Sequence, residues 1–132
     1  MAIKLQVRDN LIEATYQGNI TAIDLQQQIE IFRDLESRLD VSPDRIADLS
    51  NACGSELLSS DVVLFAAGRE SAKLKNRVKS AIIAPSPVQY GLARMFMAHN
   101  KNPSIEIMIF RDAATAYEWL GQEPQSDVKP IA

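Results

Sequence analysis

A single cysteine, Cys53, and a single histidine, His99, are all that this chain of 132 residues has of the two side chains most used in metal binding and nucleophilic catalysis. One cysteine cannot close an internal disulfide, which fits a reducing compartment. Clustered Cys or His ligands are absent, as are glycine-rich loops of the kind that cradle nucleotide phosphates. Cys53 and His99 lie far apart in sequence without an activating context, so catalysis would need carboxylates brought together by the fold. On these grounds no catalytic residue, cofactor or metal is assigned. No apolar run approaches the roughly 20 residues of a membrane span. Positive charge is not in excess: 14 basic against 17 acidic residues give a net charge of −3, without global attraction to nucleic acid or anionic lipid. The opening Met1-Ala2-Ile3-Lys4-Leu5 lacks the parts of a secretory signal, so cytoplasmic residence is expected.

What is present is a patterned α/β chain. Its hydrophobic fraction of 46% and charged fraction of 23% suit one globular domain with its own core. Ile3, Leu5 and Val7, then Ile12, Ala14 and Tyr16, alternate with polar residues as two strands do, and Asp9-Asn10 between them predicts a tight hairpin. After Gly18, Thr21 and Asp24 have the spacing of a capping box. Leu25, Ile29, Phe32, Leu35 and Leu39 then recur on one face of an amphipathic helix. Ser42-Pro43-Asp44 ends it, and Arg45–Leu49 reads as an inner strand. Asn51 to Ser60 reads as a loop, with Ser60 or Asp61 capping a second helix through about Leu74. Gly68 weakens that helix by about 1 kcal/mol against alanine. Val78–Ala84 is the next strand, and Ser86-Pro87 opens a third helix running to about His99. Asn102-Pro103 precedes a last strand, Ser104–Phe110, and Asp112 caps a short helix with Ala113, Ala116, Tyr117 and Leu120 on one face. These elements predict a single mixed five-stranded sheet with about four helices over residues 1–121, an initial hairpin followed by parallel crossover units, and a flexible tail at 122–132.

This order resembles the STAS fold of sulphate transporters and anti-sigma factor antagonists, and in particular the SpoIIAA-like family. The resemblance rests on Gly18-Asn19-Ile20-Thr21 with Asp24-Leu25, Ala47-Asp48-Leu49-Ser50, Ala81-Ile82-Ile83-Ala84-Pro85-Ser86, Tyr90-Gly91-Leu92-Ala93-Arg94-Met95-Phe96, and Phe110-Arg111-Asp112 through Trp119-Leu120. It covers nearly all of the chain up to Gly121. It implies a non-catalytic switch in which a serine after the third strand is phosphorylated and the phosphate blocks docking to a kinase partner; relatives of the same general shape include lipid-transfer domains. The antagonists carry an Asp-Ser pair followed by Gly in that region, whereas Asn51 to Asp61 contains no Asp-Ser, so the switch does not carry over to any one serine.

Three groups of residues are candidates for function. Parallel strands bring ligands to their carboxyl ends, which would gather Asp48, Ser50, Asn51, Ser86, Arg111 and Asp112 on one ligand edge. Ser86 and Asp112 are also accounted for as helix caps, and Arg111 as a salt-bridge partner. Ser55, Ser59 and Ser60 lie near the start of the second helix, where phosphate would meet the positive end of the helix dipole; serine is also ordinary loop and cap chemistry there. On the third helix Val88, Leu92, Met95 and Phe96 are expected to face the core. Tyr90, Ala93 and Met97 form a second apolar stripe, a surface for a protein partner or a second copy of the chain. A basic concentration of Arg69, Lys73, Lys75, Arg77 and Lys79 could attract a phosphate-bearing ligand or complement a negative helix end.

Three functional classes follow. A non-enzymatic interaction or regulatory module requires an exposed stripe at Tyr90 and Met97. A carrier of a small apolar or anionic ligand or a lipid requires an enclosed apolar cavity beneath the helices. An enzyme requires ionisable groups converging in a cleft.

Overall fold

The hairpin forms where the sequence places it: β1 (Ile3–Arg8) pairs antiparallel with β2 (Leu11–Asn19), Arg8 opposite Leu11. Asp9 and Asn10 between them adopt φ of 50° and 64°, the left-handed conformation that a two-residue hairpin demands. The structure, a computed structural model, describes residues 2–53, 57, 59–70 and 74–123. The expected tail lies, from residue 124 onward, outside the described residues.

α1 (Ala22–Arg38) opens on the expected capping box: the Thr21 side chain accepts from the Asp24 amide, and the Asp24 carboxylate accepts from the Thr21 amide at 2.9 Å. β3 (Asp44–Cys53), α2 (Ser59–Glu70), β4 (Val78–Ile83), α3 (Pro87–Ala98), β5 (Ile105–Phe110) and α4 (Ala113–Leu120) follow. The sheet runs in sequence order, β1 to β5, with every pair after the first parallel. Right-handed crossovers stepping always in one direction put α1, α2 and α3 on the same face. α4, which follows the last strand, covers the opposite face. Alternation across the strands sorts the core accordingly: Leu11, Ile46, Ala81 and Ile83 pack with Ala116 and Leu120 of α4, whereas Ala14, Tyr16, Ile82 and Ala84 meet the other three helices.

Three expectations are corrected. β3 runs through Asn51, Ala52 and Cys53, which had the composition of a loop; from Thr15 to Gln17 the second strand advances two residues while β3 advances three, from Asp48 to Asn51. The extra residue is a bulge that shifts the in-out alternation, so a period-two pattern stops at Leu49 although pairing continues. The second helix is described over Ser59–Glu70, so Ser60 and Asp61 lie within it and do not precede it, and Leu74 lies outside any helix. Its Gly68 has a packing reason: a Cβ there would stand 2.5 Å from Cδ1 of Ile29, so glycine lets α2 approach α1.

The third correction concerns α3. Ala93 is 2% exposed and packs with Ile82 and Ala84, while Val88, expected in the core, is 66% exposed. Gln89 is the residue that fixes this rotation: its Nε2 donates to the carbonyls of Ser50 and Ala52 at 3.2 and 3.1 Å, turning residues 89, 93 and 96 inward. A polar anchor sets the buried side, so apolar spacing placed Leu92 and Phe96 inward correctly but misplaced Val88 and missed Ala93.

Candidate functional site

The face of the sheet beneath α1, α2 and α3 is not completely filled. A cavity of about 120 Å³ lies there. Its apolar wall includes Ile20, Leu49 and Ile82 from the sheet side and Phe65, Leu92 and Phe96 from the helices. Phe65 and Phe96 meet at 5.2 Å between ring centroids, tying α2 to α3. Ala14, Ala47, Ala52 and Ala93, all on the wall, leave room that larger side chains would occupy.

Polar groups on the wall come chiefly from α1, α2 and the neighbouring strands. The Tyr16 hydroxyl donates to Gln28 Oε1 at 2.6 Å, and its burial pushes the phenol well above its ordinary range. Arg45 of β3 and Arg69 of α2 also line the cavity, and both ion-pair with one oxygen, Oε2 of Glu36 on α1, Arg69 at 2.6 Å. All three are buried. Phe32, one turn before Glu36, lies under both guanidinium groups, with Cζ of Arg45 5.2 Å and of Arg69 4.9 Å from its ring centroid. Arg45 donates further to the Pro43 carbonyl at 2.8 Å, but its Nε is buried without a hydrogen-bond partner among the described residues. Burial lowers the Arg45 pKa, with neighbouring Arg69 acting in the same direction against the opposing effect of Glu36 and Asp44.

Glu36, Gln28 and Arg45 are absent from the candidate site residues of the sequence expectations. Gln28 and Glu36 share the inward side of α1 with Leu25 and Phe32, at intervals of three and four residues, and a face defined by apolar residues passes over them. Arg69 stands in the basic concentration, where a solvated or helix-capping role was expected; it is buried instead. Two neighbours do complement helix ends, though not their own: Lys75 donates to the Leu39 carbonyl after α1, and Lys79 to that of Trp119 in α4 at 3.2 Å. Lys73 lies outside the described residues.

The proposed ligand edge is assembled by the register, since Asp48 is level with Ile83 and Ile83 with Phe110. Most of the side chains there have a local task. Asp48 accepts from the Ser50 amide and hydroxyl at 2.9 and 2.6 Å, Ser86 and Gln89 form the capping box of α3, and Asp112 accepts from the Thr115 amide at 2.8 Å. That amide bond, with the Thr115 hydroxyl, holds the exposed Asp112 carboxyl below its ordinary pKa. Arg111 lies 5.1 Å from the Tyr90 ring centroid and Arg94 5.9 Å from it, so Tyr90 is occupied by two cations. Asn51 is exposed on β3, and Met97 is half-buried. Ser59 and Ser60 are exposed at the head of α2, and Ser55 lies outside the described residues.

Cys53 is exposed at the end of β3, and His99 caps α3 through its backbone. Among the described residues no group of three or more His, Cys, Asp or Glu could hold a metal ion, and no helix is long and apolar enough to cross a membrane.

An antiparallel hairpin leading into three parallel crossovers, with three helices over one face and one over the other, defines a SpoIIAA-like α/β fold. A solved structure makes the same point: an uncharacterised protein of the DUF3478 family from Shewanella loihica PV-4, described as having a SpoIIAA-like fold, superposes with a TM-score of 0.59 at 18% identity, over 90% of this chain and 92% of that one. The likeness is one of fold. No protein-family model and no curated protein matches the sequence.

Proposed function

We propose that this protein is a non-enzymatic binding module that takes a small, largely apolar ligand into the cavity between its sheet and α1–α3. The observation that carries this reading is the cavity: about 120 Å³ under the helices, with a largely apolar wall. A cavity of about 150 Å³ lined by apolar side chains takes up benzene, whereas natural cores are normally packed with few voids larger than a water molecule. The interaction surface expected on α3 has less support, because Ala93 is buried and Tyr90 is engaged by Arg94 and Arg111.

Titration of the labelled full chain with benzene, toluene and benzyl alcohol, followed by amide and methyl NMR, tests the reading. Saturable shifts centred on Leu49, Phe65 and Phe96 are expected, and Ala93→Leu, which fills the space, should abolish them while the fold persists by circular dichroism. Wild-type protein that shows no saturable shift with any of these probes would refute it.

A second reading, docking to a protein partner, is favoured by other residues: Leu64 and Val88 are 68% and 66% exposed on the neighbouring helices α2 and α3. The variant Leu64→Glu with Val88→Glu should then change the solution mass or abolish capture of a defined partner.

A further inference from the structure

The buried ionic cluster on the cavity wall is unbalanced. Two guanidinium groups share one carboxylate oxygen, so Arg45, Arg69 and Glu36 carry an excess of one positive charge out of water. Asp44 is the acidic group next along the chain, but it makes no ion pair with Arg45 among those described, and its Oδ1 accepts from the Lys79 amide at 2.7 Å. The other polar residues lining the cavity among those described, Tyr16, Gln28, Ser80 and Gln89, are neutral. Unpaired charge in a water-poor site is costly, and a buried N–H without an acceptor adds to the cost. Arg45 has both, in its half share of one carboxylate oxygen, with Asp44 acting on it only through space, and in Nε, and it lines the cavity. Phe32, beneath both guanidinium groups, contributes its ring face and no hydrogen-bond acceptor.

We propose that the cavity ligand is a small monocarboxylate with an apolar body, its carboxylate seated against Arg45 and Arg69 and its body among Leu49, Phe65, Ile82 and Phe96. The proposal rests on the cavity reading and deepens it. One negative charge neutralises the excess, whereas a phosphate dianion would overcompensate it and a cation would increase it. A carboxylate also presents two acceptor oxygens, the geometry that guanidinium groups recognise best. The volume restricts the body to about the size of a benzene ring or a short acyl chain. Once bound, such an anion would complete an ionic square in which two carboxylates face two guanidinium groups.

Benzoate and benzyl alcohol, nearly equal in size and differing in charge, are the probes, titrated into the full chain by calorimetry and NMR. Benzoate is expected to bind about tenfold or more tightly than benzyl alcohol, the scale of a hydrogen-bonded charge. Arg45→Met should erase this preference. Should Arg45→Met fail to fold, Glu36→Gln decides, because it leaves two uncompensated cations and should bind benzoate more tightly than wild type by about tenfold. Equal affinities for the two probes, or weaker benzoate binding in Glu36→Gln, would overturn the monocarboxylate while leaving the cavity reading intact. Binding of neither probe would overturn both.

Discussion

Replacing Glu36 by Gln is the perturbation that the buried cluster makes most informative. The substitution keeps the size of the side chain and removes the only carboxylate that ion-pairs with Arg45 and Arg69 among the described residues, both arginines being buried. Breaking a buried pair so that a charge is left uncompensated costs about 3–5 kcal/mol. A domain of this length is stable by about 7–20 kcal/mol, so the variant should fold but with a large share of its margin gone. In urea, with a slope of about 2 kcal/mol per molar, the midpoint should fall by about 2 M at unchanged slope. Arg69→Met is the decisive comparison. It leaves Arg45 and Glu36 as a one-to-one pair and keeps most of the side-chain bulk over Phe32, so it should cost clearly less than Glu36→Gln. The triple variant Glu36→Met, Arg45→Met and Arg69→Met, with no buried charge remaining in the cluster, should approach or exceed wild-type stability. If Arg69→Met proves as damaging as Glu36→Gln, the cluster is not governed by its excess positive charge, and the electrostatic reasoning fails. Addition of benzoate should restore more stability to Glu36→Gln than to wild type, since a ligand stabilises according to its affinity.

Two further predictions concern the packing of α1 on α2 and the opposite face of the sheet. Gly68→Ala should destabilise by about 1 kcal/mol despite the better helix propensity of alanine, because its Cβ meets Cδ1 of Ile29; in an Ile29→Val background that cost should shrink or reverse, and a double-mutant cycle in urea without such coupling would sink the close-approach argument. Glu13, whose carboxylate accepts from Arg8 at 2.7 Å and from the Tyr117 hydroxyl at 2.7 Å, is raised by burial but lowered more by Arg8, Gln6 and Tyr117, so its folded pKa lies below the ordinary 4.5. The sign follows: its contribution is fully present above pH 4.5 and is lost as the pH falls through the lowered folded value, so Glu13→Gln should flatten the acid limb of the stability curve. The same variant should bring the Tyr117 phenol, pushed up to about 12 by burial and then by Glu13, back toward 10.0; an unmoved phenolate absorbance titration would refute the coupling.

Features governed by neighbours in sequence were legible without coordinates. The Asp9-Asn10 hairpin, the capping box at Thr21, the helix caps at Ser86 and Asp112 and the strand-helix order all depend on backbone preferences within a few residues, and each is where the pattern placed it. The SpoIIAA-like topology then follows, because right-handed crossovers leave few ways to arrange that order. Tertiary structure decided which way each helix turns and how far β3 runs. Gln89 reaching the carbonyls of Ser50 and Ala52 buries Ala93, and a bulge opposite Tyr16 carries the strand on to Cys53; each depends on a partner more than 30 residues distant in the chain.

The cavity and its ionic cluster belong wholly to this second category. Glu36 and Gln28 carry no signal in the apolar spacing of α1, Arg69 reads as one of several basic residues, and Arg45 as the first residue of an apolar strand. Burial gives them their chemistry, and burial is a property of how three helices close over one sheet face. A linear pattern records the apolar spacing that drives this closure, since water is excluded roughly in proportion to apolar area. It does not record which polar side chains are enclosed with that area or which charge is left over, because those depend on distances between α1, α2 and β3 that exist only after the chain has folded.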